Sequence, residues 1–88
     1  MIFEQKMAKE VTKKQLERIC CDFAKAEIEK FEKGPVIIKG IESGDVRYEK
    51  LIGDNTDIRR IPYDEVGLAY DENGNLVPKG KHYKIKKD

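Results

Sequence analysis

Asp71, Asn73 and Asn75 stand at alternate positions in the stretch LAYDENGNLVPKGKHYKIKK, the spacing at which a helix–loop–helix calcium loop presents its first oxygen ligands. Such a loop also requires a glycine at its sixth position and a bidentate glutamate at its twelfth. Counted from Asp71, those positions hold Leu76 and His82, so the calcium pattern fails at both. The same residues suit a turn between two strands, and two registers compete. A two-residue Asn73-Gly74 turn sets Tyr70 against Val77 and Asp71 against Leu76. A three-residue Glu72-Asn73-Gly74 loop, with Gly74 left-handed, sets Tyr70 against Leu76 and Asp71 against Asn75. The second register matches apolar with apolar and polar with polar, and is the one expected.

The remaining chemistry-bearing residues are few. Zinc sites use about four Cys or His ligands at separated spacings, whereas this chain has one histidine, His82, and two adjacent cysteines, Cys20 and Cys21. Neighbours on a helix point about 100° apart, so a disulfide between the two would strain the backbone. Both read as reduced thiols, Cys20 on a core stripe and Cys21 toward its edge. Gly40, Gly44 and Gly53 are scattered and open no helix, so no phosphate-binding loop is present. The carboxylate pairs Asp64–Glu65 and Asp71–Glu72 lie in turns. Nothing in the sequence points to an enzyme, a cofactor or a metal.

A basic set is the one other candidate for binding. Arg59, Arg60, Lys79, Lys81, Lys84, Lys86 and Lys87 could grip a nucleic acid or a protein partner, with Tyr63, Tyr70 and Tyr83 as stacking groups. A lysine row on a terminal strand is equally a guard against edge-to-edge aggregation.

Composition narrows the classes further. The 88 residues suffice for one domain, with 40% charged and 39% hydrophobic side chains. A chain of this size buries a modest core. Net charge is +1, which argues against a dedicated DNA mimic and against a strong general nucleic-acid binder. The balance conceals a segregation: residues 1–33 carry +1, residues 34–78 carry −4 and residues 79–88 carry +4. The charged N-terminus, MIFEQKMAKEV, does not read as a signal peptide, and no apolar run is long enough to cross a bilayer. With reduced thiols, a cytoplasmic location is expected.

These residues must be held by a small set of elements. Thr12 and Gln15 form a capping box at the start of TKKQLERICCDFAKAEIEKFEKG. Gly34-Pro35 is the expected stop, with glycine in the left-handed position. The helix is therefore expected over 12–33. Leu16, Ile19, Cys20, Phe23, Ala24 and Phe31 form its apolar stripe, and Glu27 interrupts it. Residues 1–11 read as a short helix or an arm, with Phe3, Met7 and Val11 as dimer contacts. After Pro35 the period shifts toward two. PVIIKGI and VRYEKLI form a hairpin around ESGD, and GDNTD is a loop over 53–57. IRRI, EVGLAY and HYKIK follow as further strands, with Pro62 ending IRRI or placing it at an edge.

The expected fold is α+β: one long amphipathic helix packed on a curled antiparallel sheet of four to five strands. Three functions fit. The first is a small non-enzymatic cytoplasmic protein that binds another protein, in the manner of a phage or mobile-element inhibitor of a host factor. The second is a small β module that binds nucleic acid through the basic C-terminal strand. The third is an oligomer that sequesters a small ligand. A homodimer is expected, because the apolar residues exceed what one sheet face can cover.

Overall fold

The computed structural model describes residues 9–86. Strand β1 spans Lys9–Val11 and helix α1 spans Lys13–Glu32. Strands β2 (Val36–Glu42), β3 (Asp45–Ile52) and β4 (Asn55–Pro62) follow. A turn of 3-10 helix over Tyr63–Val66 leads to β5 (Leu68–Tyr70), β6 (Leu76–Pro78) and β7 (Tyr83–Ile85).

The capping box is present: the Thr12 hydroxyl accepts from the Gln15 amide at 3.1 Å, and the Gln15 side chain accepts from the Thr12 amide at 2.9 Å. The left-handed residue at the other end is Lys33, φ 57°, one position before the expected glycine. Along α1 the buried residues are Leu16, Cys20, Ala24 and Ile28. Each step of four advances about 40° around the axis, so the buried direction rotates along the helix. That rotation places Ile28 in the core and leaves Phe31 68% exposed, contrary to the expected stripe. Glu27 lies outside the core and pairs with Lys30 at 3.1 Å.

The expectation of one curled sheet is overturned. The strands form three separate, uncurled sheets: β2-β3-β4, β5-β6 and β1-β7. The first two are antiparallel, while β1 and β7 run parallel, with Val11 opposite Ile85. The Tyr63 amide still donates to the Gly44 carbonyl at 3.0 Å, while Pro62 offers no N–H on the opposite edge, where a further strand would have to pair. The 3-10 turn and the left-handed Gly67 (φ 80°) then re-aim the chain before β5 can join β4. This turn buries Val66 and Leu68 with the core residues of α1. EVGLAY is therefore a turn plus a three-residue strand rather than one strand, and Tyr70 is exposed.

Two tight turns organise the three-stranded sheet. Ser43 and Gly44, both at positive φ, join β2 to β3. Gly53-Asp54 joins β3 to β4, with Ile52 opposite Asn55. The expected 53–57 loop is therefore only two residues long, and IRRI lies within an eight-residue strand. Val36, Ile38, Val46, Tyr48 and Ile61 line the inner face and pack into the core with α1. Tyr70 pairs with Leu76, as the three-residue loop requires. Asp71 holds that loop closed: its amide donates to the Asn75 carbonyl, while its Oδ1 accepts from the amides of Asn73 and Asn75 at 2.9 and 2.8 Å.

Candidate functional site

Side chains alternate across a strand, so a sheet with one covered face should carry polar residues on the other. The outer face of β2-β3-β4 departs from that rule. Ile37, Glu49 and Ile58 lie in one row across the three strands, and Leu51 lies one row further along β3. Ile37 is 44%, Leu51 38% and Ile58 68% exposed. At their centre Glu49 is neutralised by Lys39, at 3.4 Å, from the bulge between Ile38 and Gly40. The result is three aliphatic side chains around an internally paired charge. No other described element covers this face. Arg47 and Arg60 occupy the adjoining row, where Arg47 pairs with Glu42 at 3.3 Å.

The inner face ends in a polar cluster. Glu32 follows Leu16, Cys20, Ala24 and Ile28 in steps of four and so reaches inward, with a side chain only 6% exposed. It accepts from Tyr48 Oη at 2.7 Å and from Arg59 Nη1 at 3.0 Å, with Lys50 Nζ at 3.7 Å. Arg59 also donates from Nε to Asp57 at 2.8 Å. The Tyr48 hydrogen bond, then the Arg59 and Lys50 charges, hold the Glu32 carboxyl below its ordinary value against the opposing effect of burial. Burial, then Glu32, pushes the Tyr48 phenol up to about 12. The Asp57 hydrogen bond is the main cause of a raised Arg59 value. The carboxylate is thus held ionised and the phenol protonated, which makes a structural clamp between the helix end and the sheet.

A cleft of about 390 Å³ lies between the first half of α1, the β2 bulge and the β5–β6 hairpin, and Cys20 and Cys21 border it. Cys20 Sγ donates to the Leu76 carbonyl at 3.0 Å. Burial pushes its thiol up to about 11 and raises that of Cys21 as well. Both thiols are therefore protonated near neutral pH, and only the thiolate is a strong nucleophile.

The structure separates the basic set. Arg59 and Arg60 project to opposite faces of β4, and the charge of Arg59 is matched by Glu32 and Asp57. Lys79 lies just after β6, with Nζ 3.1 Å from the Asp64 carbonyl, and Lys81 lies in the connection to β7. Lys84 and Lys86 are exposed on and after β7, whose Tyr83 and Ile85 pack on the core. Lys87 lies outside the described residues, as do Phe3 and Met7. Tyr63 and Tyr70 stack edge to face on one another, centroids 5.2 Å apart. Val11, expected as a dimer contact, is only 3% exposed within the single chain.

Glu32 and Tyr48 were missed in the sequence. The available signal was the row of four-residue steps from Leu16 to Ile28, which ends on a glutamate. Ile37 and Ile58 could be read as outward from alternation once the register was known, but not before.

Among the described residues, no group of three or more His, Cys, Asp or Glu converges as metal ligands. No helix there is long and apolar enough to cross a membrane. Comparison with protein-family models, with curated proteins and with solved structures returns no match.

Proposed function

We propose that this chain is a non-enzymatic protein-binding module, of the type a phage or mobile element uses to inhibit a host factor. The observation that carries this reading is the exposed aliphatic triplet Ile37, Leu51 and Ile58 on an otherwise charged sheet face. Exposed apolar groups on a rigid sheet, rimmed by charges, suit a protein partner: burying them supplies affinity and the rim supplies orientation. The charge segregation along the chain adds long-range steering.

The test is affinity capture from the native cell with a nuclease-treated control, comparing the wild type with the double variant Ile37→Lys/Leu51→Lys, in which the residue opposite Glu49 carries the opposite charge. The reading expects a protein that survives nuclease treatment and is lost with the double variant, while helix content and thermal stability stay unchanged. Retention of nucleic acid alone, or of the same protein by both forms, sinks it.

A further inference from the structure

The β4 strand is an open edge, and its free groups can be identified. Its turn with β3 is two residues long and flanked by the Ile52–Asn55 pair. In a hairpin closed this way the flanking pair exchanges both backbone hydrogen bonds, and hydrogen-bonded pairs alternate with non-bonded ones thereafter. Asn55, Asp57, Arg59 and Ile61 therefore direct their backbone groups toward β3. Thr56, Ile58 and Arg60 direct theirs outward, where no described strand pairs with them. Pro62, which lacks an N–H, falls on the outward set at the strand's end.

We infer that this edge pairs antiparallel with the same edge of a second copy, with Ile58 on the two-fold axis. The charge pattern of the strand, NTDIRRIP, excludes three registers, and the nearby turn and Pro62 leave too few paired groups for centring on Thr56 or Ile61. A two-fold axis perpendicular to the sheet keeps outer residues opposite outer residues and inner opposite inner. Centring on Asp57, Arg59 or Arg60 would set that residue against its own like charge, which is destabilising. Centring on Ile58 sets Asp57 of each copy opposite Arg59 of the other, Thr56 opposite Arg60, and Ile58 opposite Ile58. No like charges meet. The outward N–H groups of Thr56, Ile58 and Arg60 each meet an outward carbonyl, so the edge is satisfied over its length. Asp57 and Arg59 are already in contact at 2.8 Å and Arg59 is anchored by Glu32, so both are positioned before pairing. Two three-stranded sheets then form one continuous sheet whose outer face joins the two aliphatic triplets at Ile58.

Self-pairing at β4 is separate from capture of a foreign protein, and the two fail separately. Light scattering and sedimentation of the full chain at tens of micromolar should give twice the 10.2 kDa chain mass. Hydrogen exchange should show protection of the Thr56, Ile58 and Arg60 amides that increases with concentration. Ile58→Pro removes an outward N–H and no bond to β3, and it should raise the dimer Kd by about tenfold or more. Asp57→Arg sets like charges opposite and should give a monomer. Mixing Asp57→Arg with Arg59→Asp restores both oppositions and should give a heterodimer. If Arg59→Asp does not fold because Glu32 loses its partner, Ile58→Pro and Asp57→Arg decide alone. A monomeric wild type, or a dimer that persists in both of those folded variants, overturns the inference. A monomeric wild type that still captures a protein through Ile37 and Leu51 leaves the binding reading standing. A dimer that captures nothing does the reverse.

Discussion

Tyr48 on β3 donates a 2.7 Å hydrogen bond to Glu32 in the last turn of α1, and this contact ties the end of the helix to the sheet. It holds a carboxylate in its ionised form and a phenol in its neutral form, so it titrates at both ends of the pH scale. Because the Glu32 value is depressed in the folded chain, its contribution is present above the ordinary value of 4.5 and is lost as pH falls through the depressed one. Because the Tyr48 value is raised, its contribution is present below 10 and is lost as pH rises toward about 12. Thermal unfolding across this range should show a fall in Tm at each end. Glu32→Gln should lower Tm at neutral pH and flatten the acid limb. Tyr48→Phe should flatten the alkaline limb. If wild type and Glu32→Gln have parallel acid limbs, Glu32 does not govern acid stability.

The Asp71 carboxylate accepts two backbone amides within its own loop. Replacing it with alanine leaves both donors to water and should cost about 1–2 kcal/mol in denaturant unfolding. Asp71→Asn keeps an acceptor oxygen at the same place and should cost less. Calcium should alter the midpoint of neither variant nor of the wild type, since the carboxylate is engaged in closing a hairpin. A calcium-dependent rise in the wild-type midpoint would contradict this account.

Gly67 and Gly74 share a left-handed backbone, φ 80° and 81°, but differ in their surroundings. A Cβ at Gly74 meets nothing within 4 Å, while one at Gly67 meets Phe23 Cε2 at 2.9 Å. Gly74→Ala should therefore cost only the backbone term, about 1–2 kcal/mol. Gly67→Ala should cost that plus displacement of the Phe23 ring, about 2–4 kcal/mol in all. Equal losses in unfolding free energy would show that the close approach to Phe23 carries no weight.

Features that depend on near neighbours were legible in the sequence. The Thr12–Gln15 capping box and the Tyr70–Leu76 register are set by residues a few positions apart. Their side chains and turns permit one low-energy arrangement before any tertiary contact exists. The 42–45 turn, with Asp45 now opening β3, belongs to the same class. Tertiary structure decided the rest. The parallel pairing of Val11 with Ile85 closes most of the chain into a loop, and no local pattern encodes it. Separation of β5-β6 from β2-β3-β4 follows from the turn at Tyr63–Val66, which is stable because Val66 and Leu68 gain burial in the core shared with α1. Rotation of the buried direction along α1 exposed Phe31 and brought Glu32 inward. Glu32 then took up Arg59, a residue whose sequence context suggests a free surface charge. A charged side chain shows its role only when its partners are known, and here Glu32, Tyr48 and Arg59 come from three elements brought together by folding.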